Sequence, residues 1–322
     1  MKIATHYFGI YHEALKHYAQ QFGISSAVCT VPFQSAQPNY VNPWDKVALC
    51  AQQQAMEPFG LNVEVLEGIK FLDGAKLGRD DRRACIDNFC QLIENMAQLG
   101  IDTVCYNWMP VFGWFRTRHA IAERGGALVT GFRMGDMVST DRTAAGTVSA
   151  DDLWKNLKYF MEAVVPVAEF HKVKLALHPD DPPVRSLAGI DRILTSPEAM
   201  MRAIDLVPSA YNGIVMCQGT FATMGADIPT EIHRFRERIF FAHFRDVRGT
   251  PENFIECFPD NGITDMTAAV QAYRDVGFDG VIRIDHMPIL YGESNENPGY
   301  ATLGWLYAVG YLRGLMESAD RQ

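Results

Sequence analysis

The sequence lacks a segment long enough to cross a bilayer, and it lacks a cluster of basic residues. None of its apolar runs approaches the ~20 residues that a membrane-spanning helix needs. The 322 residues include 29 lysines and arginines against 38 aspartates and glutamates, which gives a formal net charge of -9. An acidic chain without a basic run argues against binding to nucleic acid or to an anionic membrane surface. We therefore expect neither nucleic acid nor a membrane among its partners.

Paired cysteine motifs and a secretory leader are missing as well. The seven cysteines are odd in number, and none forms a C-x-x-C pair, which argues against a disulfide framework and against a zinc ribbon. The first residues, MKIATHY, contain neither the apolar stretch nor the cleavage site of a signal peptide. We therefore expect a cytoplasmic protein, in which most cysteines are small buried apolar residues.

Glycine-rich phosphate-binding turns are also absent. The chain contains neither G-x-G-x-x-G nor G-x-x-x-x-G-K-[ST]. This absence disfavours an open doubly wound sheet, which stays the alternative architecture. The chain has instead an alternation of β-rich runs and helical patterns. The predicted strands cover residues 2–8, 25–31, 61–67, 102–108, 173–178, 212–218, 239–246 and 280–286. The predicted helices cover residues 43–57, 80–99, 151–170, a segment that begins at 196–197, and residues 227–237, 265–276 and 300–317.

This alternation predicts an α/β fold of the (β/α)8 TIM-barrel type, formed by one domain over residues 1–322. The stretch at about 109–150 has weak periodicity and follows the fourth predicted strand. Loops of that length are uncommon unless they are functional, so we predict an active-site loop over the carboxyl-terminal mouth of the barrel.

Polar residues stand at the ends of four predicted strands, which is where such barrels form their active sites. Strand alternation turns these residues towards the barrel axis. They are His178, Cys217, His243 and Asp285. Two imidazoles, a thiolate and a carboxylate suit Mn, Fe, Co or Zn better than Mg or Ca, and their charge balances a divalent ion. Asp180 and Asp181 could orient the ring nitrogens. The alternative interpretation is a set of polar core residues with ordinary hydrogen bonds.

Further candidates surround the same mouth. Glu67 and Asn107 face inward by the same alternation, and Arg245 shares the inward face of the seventh strand with the histidine there. Arg116 lies in the predicted loop and could bind a carboxylate through two hydrogen bonds. Tyr300 begins the last helix, where its phenol could act as an acid or a base or could simply pack.

The sequence resembles the mannonate dehydratase family in several strings. They are KLG at 76–78, CYNWMPVFGWFRT at 105–117, HPDDPP at 178–183, CQG at 217–219, FAHFR at 241–245 and RIDH at 283–286. The matches are collinear from about residue 60 to about residue 315. The resemblance implies a barrel similar to that of xylose isomerase. It also implies a hydro-lyase that removes water from D-mannonate, a small anionic sugar acid, and forms 2-keto-3-deoxy-D-gluconate.

The resemblance implies residue roles too. The family's metal ligands match His178, Cys217, His243 and Asp285, and its metal is typically Mn²⁺ or Fe²⁺. Its catalytic groups match Tyr300, His286 and Asp285. Tyr300 and His286 would share the acid and base work, with the assignment between them left open. The expected substrate contacts are Asn107, Arg116, Glu67 and Arg245.

The chain departs from the family pattern in three places. TVPF at 30–33 and ECFPDN at 256–261 stand where the family tends to have a histidine, and DHM at 285–287 replaces Asp-His-Gly. Because these regions should contact the substrate, a related sugar acid is an alternative substrate. A metal-dependent sugar isomerase or epimerase is the alternative reaction, and a sugar-binding module with a structural metal is a third interpretation. Barrels of this kind often form homo-oligomers, and the sequence leaves the oligomeric state open.

Overall fold

The barrel strands in the structure lie where the hydrophobic alternation of the sequence predicted them. The computed structural model describes residues 1–9, 12–30, 41–137 and 143–320. Its strands are β1 (Lys2–Tyr7), β2 (Ser26–Cys29), β3 (Asn62–Leu66), β4 (Thr103–Asn107), β5 (Arg118–Ala122), β6 (Leu128–Arg133), β7 (Lys174–His178), β8 (Ser186–Leu187), β9 (Ile190–Asp191), β10 (Asn212–Cys217), β11 (Ile239–Phe244), β12 (Val247–Thr250), β13 (Asn253–Glu256) and β14 (Val281–Ile284). Eight of them close into a parallel barrel in the order β1-β14-β11-β10-β7-β4-β3-β2. These eight correspond to the eight predicted strands, which confirms the predicted fold class; Val31, the last residue of the second prediction, lies outside the described residues.

Helices alternate with the barrel strands. They are α1 (Glu13–Gln21), α2 (Lys46–Met56), α3 (Asp73–Leu77), α4 (Arg82–Gln98), α5 (Ala150–His171), α6 (Pro197–Ile204), α7 (Gln218–Thr223), α8 (Ile228–Phe235), α9 (Met266–Asp275) and α10 (Thr302–Ala319). Ser149 and Ser196 cap α5 and α6, because each hydroxyl accepts a hydrogen bond from a backbone N–H three residues ahead. The short helices α3 and α7, and also α1, were not predicted. Of the helices described, none combines the length and the apolar character of a transmembrane span.

The barrel separates the core into two layers. Inside the barrel, small and β-branched residues such as Ala4, Val65 and Ala176 pack together with Phe241. The opposite face of each strand packs against the helices, as Leu175 does on β7. The inward face therefore alternates as predicted, and it continues into the polar residues at the strand ends.

A second sheet covers part of the carboxyl-terminal mouth of the barrel. It is antiparallel, with the order β12-β13-β6-β5. The stretch predicted as a continuous loop over 109–150 therefore contains β5 and β6, while its residues 138–142 lie outside the described residues. Strand β6 pairs with β13, which comes more than a hundred residues later, so the local sequence carried no sign of this pairing. Gly131 in β6 is required there, because a Cβ atom would lie 2.7 Å from the Phe254 carbonyl oxygen.

Candidate active site

A cavity of about 150 Å³ opens at the carboxyl ends of the barrel strands. Its wall contains most of the predicted site residues. The lining residues are Glu67, Gly68, Cys105, Asn107, Met109, Trp114, His178, Asp181, His243, Arg283, Asp285, His286 and Tyr300. The cavity thus lies at the end of the fold where barrel enzymes carry their chemistry.

Three of the four predicted metal ligands converge. A nitrogen of His178, the sulfur of Cys217 and a nitrogen of His243 all lie within 4.8 Å of one another. His178 Nδ1 lies 2.7 Å from the Pro179 carbonyl oxygen, which can only accept a hydrogen bond. His178 Nδ1 therefore carries the proton, and Nε2 is left with the lone pair that a metal ion requires.

The surroundings of His243 stabilise positive charge. Its Nε2 lies 3.2 Å from Glu67 Oε1, and its Nδ1 lies 3.5 Å from Asp285 Oδ2. Burial and Arg283 lower the pKa of His243, but Glu67 and Asp285 outweigh both and raise this pKa to about 10. Neither ring nitrogen has a well-aligned hydrogen-bond partner within the described residues. Positive charge at this ring, carried by a proton or by a metal ion in its place, is therefore electrostatically favoured.

Cys217 is poised to be a thiolate. Burial raises the pKa of its thiol, but His178 and Arg245 outweigh burial and bring this pKa well below its ordinary value. Arg245 Nη1 lies 3.5 Å from the sulfur. Gly219 makes this approach feasible, because a Cβ atom at that position would lie 2.8 Å from the Arg245 side chain. The thiolate is the form of cysteine that binds metal ions.

The fourth predicted ligand, Asp285, lies next to the group of three. Its Oδ2 faces His243, while Arg283 Nη1 donates to its Oδ1 at 2.9 Å. Arg283 also forms two hydrogen bonds with Glu67, at 2.8 and 2.9 Å. Arg283 therefore holds the two carboxylates that flank His243 in place.

The residues present fit a divalent cation. Three guanidinium groups face four carboxylates in and below the cavity: Arg116, Arg245 and Arg283 against Glu67, Asp181, Glu256 and Asp285. Burial raises the pKa of these four carboxyl groups, but their positive neighbours lower it further, so all four are ionised. With the protonated His243 these charges sum to zero, so loss of the His243 proton and ionisation of Cys217 would together leave two negative charges to balance a divalent ion. Nitrogen and sulfur donors suit Mn, Fe, Co or Zn.

Arg116 and Arg245 belong to a buried network of ion pairs next to the cavity. Neither side chain is on the cavity wall, since both guanidinium groups are fully buried between Asp181 and Glu256. Arg116 binds Asp181 through two nitrogens at 2.6 and 2.9 Å and Glu256 at 2.7 Å. Arg245 binds Asp181 at 2.7 Å and Glu256 through two nitrogens, each at 2.7 Å. Their hydrogen bonds are used within this network, and the substrate contacts expected of them stay predictions.

His286 lies between this network and the cavity. Its Nδ1 is 3.2 Å from Glu256 Oε1, and its Nε2 is 3.5 Å from Asp285 Oδ1. Its ring packs against that of Trp114, with ring centroids 4.8 Å apart. The backbone of His286 has φ of 47°, a left-handed conformation that is uncommon for a residue with a side chain. Such backbone strain tends to occur at functional sites.

Tyr300 lies on the cavity wall among aromatic rings. Its ring centroid lies 5.5 Å from that of His286 and 5.6 Å from that of His6. Burial and the neighbouring Asp285 raise the pKa of Tyr300 above its ordinary value. The phenol is therefore protonated at neutral pH and can donate a proton.

Asn107 presents a defined amide to the cavity. Its Oδ1 accepts hydrogen bonds from Lys76 Nζ and from the Met109 backbone N–H, both at 3.0 Å. The NH₂ group is therefore the part of the amide that is left to face the cavity, where it can donate to an oxygen of a ligand.

Several residues of the site escaped sequence reasoning. Glu256 belongs to the string ECFPDN, which was expected to contact the substrate, but its own role was not predicted. It lies on β13, outside the barrel, where the alternation along barrel strands does not apply. Trp114 and Lys76 are parts of the family-like strings at 105–117 and 76–78, which is the signal that could have found them. His6 shares the inward face of β1 with Ala4, so the alternation used for the other strands would have indicated it.

Comparison with known proteins extends over the whole chain. The family model described as D-mannonate dehydratase matches residues 1–144 and 136–322. Mannonate dehydratase 2 of Halalkalibacterium halodurans is 32% identical over 354 aligned positions, covering 99% of this chain and 100% of that protein. A mannonate dehydratase of Streptococcus agalactiae serotype Ia is 33% identical and covers 92% of this chain and 91% of that protein. The crystal structure of mannonate dehydratase from Streptococcus suis serotype 2 superposes with a TM-score of 0.90 at 30% identity, over 100% of this chain and 95% of that one.

More distant structures share the barrel alone. A D-tagatose 3-epimerase-like protein superposes with a TM-score of 0.64 at 12% identity, covering 100% of this chain and 99% of that one. An L-ribulose 3-epimerase gives 0.62 at 13% identity, covering 100% and 96%. These likenesses agree with the xylose isomerase-like barrel that the sequence predicted.

Proposed function

The chain belongs to the mannonate dehydratase family, and we propose that it removes water from D-mannonate to form 2-keto-3-deoxy-D-gluconate. The family makes it a hydro-lyase. The observation that carries the proposed reaction is the meeting of His178, Cys217 and His243 with His286 and Tyr300 around one cavity. This arrangement offers a cation site beside a candidate base and a candidate acid, which a β-elimination next to a carboxylate needs.

We propose that His178, Cys217 and His243, with Asp285 beside them, hold Mn²⁺ or Fe²⁺. When bound, such an ion supplies Lewis-acid stabilisation of the negative charge at the carboxylate end of the substrate. The excess negative charge of the buried network supports this assignment, because an anionic substrate would otherwise be repelled. The amide NH₂ group of Asn107 is placed to donate to an oxygen at the same end, while Glu67 keeps Arg283 and His243 in position.

Two side chains divide the proton transfers. His286 Nε2 takes the proton from the carbon next to the carboxylate, and Tyr300 gives its proton to the hydroxyl that leaves the following carbon as water. The resulting enol has a double bond between C2, the carbon next to the carboxylate, and C3. It becomes the ketone when C3 gains a proton and the hydroxyl on C2 loses one. The imidazolium then returns a proton to the tyrosinate through solvent, so that both side chains regain their starting forms. We assign Tyr300 as the acid because burial keeps its phenol protonated.

Incubation of the metal-loaded enzyme with D-mannonate under anaerobic conditions tests this proposal. We expect a 2-keto-3-deoxy acid that has lost one water molecule, detected by mass spectrometry and by a colorimetric assay for 2-keto-3-deoxy acids. A panel of epimeric hexonates tests whether a related sugar acid is preferred. An isomeric product of unchanged mass would contradict the dehydration and support the isomerase or epimerase alternative. Tight binding of hexonates without any product would support a binding module.

A further inference from the structure

Glu256 reaches the active site from outside the barrel. It ends β13, in the antiparallel sheet over the mouth, and its side chain is 1% exposed. Three side chains from distant parts of the chain converge on its Oε1. Arg116 Nη2 and Arg245 Nη2 each donate to this oxygen at 2.7 Å, and His286 Nδ1 lies 3.2 Å from it. The sequence assigned neither a catalytic nor a metal-binding role to this carboxylate.

The two arginines hold the carboxylate in place independently of His286. Arg245 binds both oxygens of Glu256, and Arg116 binds Asp181 on its other side, so four side chains form a closed ring of ion pairs. Burial raises the pKa of Glu256, but Arg245 and Arg116 outweigh it and lower this pKa to about 2. Glu256 is therefore ionised and can only accept hydrogen bonds.

An acceptor opposite Nδ1 selects one tautomer of the neutral imidazole. When Nδ1 carries the proton, Nε2 has the lone pair, and Nε2 is the ring atom on the side of Asp285 and the cavity. Nε2 also faces a carboxylate oxygen, Asp285 Oδ1 at 3.5 Å, but only the contact of Nδ1 with Glu256 at 3.2 Å has hydrogen-bond geometry. The opposite tautomer would lose this hydrogen bond and would leave no lone pair on the side of the cavity. Trp114, whose ring centroid is 4.8 Å away, further limits rotation of the ring.

We propose that Glu256 is a positioning residue, which holds His286 in the Nδ1–H tautomer so that Nε2 can accept the proton of the substrate. This inference rests on the proposed function, in which His286 is the base. The ion pairs with Arg116 and Arg245 then hold the Glu256 carboxylate in its position next to Nδ1. The same relation of carboxylate to imidazole orients the base in serine hydrolases.

Glu256→Gln in the metal-loaded enzyme is the first test. Glutamine keeps the size of the side chain but can offer an N–H to Nδ1, so it no longer selects the tautomer. We expect kcat to fall on the order of 10²–10⁴-fold, with KM within about a factor of two and metal content unchanged, as for other carboxylates that orient a histidine. Glu256→Asp should recover part of the lost kcat because it retains the charge. Glu252→Gln, at an exposed position near the start of β13, is the matched control and should leave kcat unchanged.

A double-mutant cycle separates positioning from a general structural role. If Glu256 acts through His286, the variant Glu256→Gln/His286→Asn should be no slower than His286→Asn alone. Losses that multiply, or a loss of bound metal in Glu256→Gln, would overturn the proposal.

Nitrogen NMR of ¹⁵N-histidine-labelled enzyme reads the tautomer without turnover. The protein is loaded with diamagnetic Zn²⁺ for this measurement, and the His286 signals are assigned by their loss in His286→Asn. We expect a protonated Nδ1 and an unprotonated Nε2 in the wild type, and a changed pattern in Glu256→Gln. A protonated Nε2 in the wild type would overturn the inference even if D-mannonate is dehydrated. The expected tautomer without dehydration would instead contradict the proposed function.

Discussion

Two regions next to the cavity, a charged side and an aromatic side, are built in different ways. On the side of β7, β10 and β11, charged groups meet at 2.6–2.9 Å, as in the pairs of Arg116 and Arg245 with Asp181 and Glu256. On the side of β1, the rings of His6, His12 and Tyr300 pack against one another with centroids 4.6–5.9 Å apart. The ring nitrogens of His6 have no hydrogen-bond partner in the part of the chain that the structure describes.

The charged side therefore supplies the groups for the chemistry, whereas the aromatic side supplies the shape of the site. The charged side fixes where a cation and a base can be, and a change of one residue there leaves a buried charge unpaired. The aromatic side is uncharged and is held by ring packing, which tolerates substitution more easily. The family-like strings contain Arg116, Asp181 and Arg245 of the first side, whereas His6 and His12 of the second side lie outside these strings.

The largest effect should come from the metal ligands on the charged side. We expect His178→Ala and Cys217→Ser each to lose most of the bound Mn²⁺ or Fe²⁺ and to lower activity at least ~10³-fold, since each removes a ligand. Metal content is measured by mass spectrometry of the desalted protein. His233→Ala, at an exposed position, is the control and should retain the metal. Full metal content in both ligand variants would contradict the assigned site.

Tyr300 tests the boundary between the two sides. Tyr300→Phe removes the proposed proton donor but keeps the ring packed against His286 and His6. We expect kcat to fall on the order of 10²–10⁴-fold, the usual contribution of a positioned acid, with the metal retained. A kcat close to that of the wild type would show that another group protonates the leaving hydroxyl.

Arg116 should matter for stability. Arg116→Met leaves Asp181 and Glu256 with one positive partner fewer in a buried network, and breaking such a pair costs about 3–5 kcal/mol. The midpoint of urea or thermal unfolding measures this loss. Arg83→Met removes an ion pair with Asp87 at the protein surface and should leave the midpoint unchanged. Equal midpoints for the two variants would show that the buried network adds little to folding.

The smallest effect belongs to the aromatic side and depends on pH. Burial, and to a lesser degree Arg283, lowers the pKa of His12 from 6.5 to about 4. Between these values the unfolded chain binds a proton at His12 that the folded protein does not, so stability falls as the pH drops from 6.5 towards 4. His12→Gln should make this decline shallower, as measured by unfolding midpoints across the interval, while activity at neutral pH changes little. If the unfolding midpoint of His12→Gln fell with pH as steeply as that of the wild type, this would contradict the burial of a neutral His12.

Features that depend on local periodicity could be predicted from the sequence. All eight barrel strands and the inward position of His178, Cys217, His243 and Asp285 followed from alternation and from the places where the strands end. The antiparallel sheet could not, because β6 and β13 are joined by backbone hydrogen bonds between distant segments. The ion pairs of Arg116 and Arg245 with Glu256 could not be predicted for the same reason, since Glu256 lies on β13. The single-domain boundary, the catalytic roles and the cytoplasmic location stay predictions.

The pairing of β6 with β13 links the segment that carries Arg116 to the segment that carries Glu256. A further bridge between Leu128 and Ile289 ties in the segment after β14. Three segments that lie outside the barrel are therefore joined to one another by backbone pairing. Substrate preference could be altered by replacing one of these segments with that of a relative. Such a replacement alone would break the backbone pairing between that segment and its partner. The three segments therefore have to be exchanged together; they cover residues 115–133, 247–256 and 287–291.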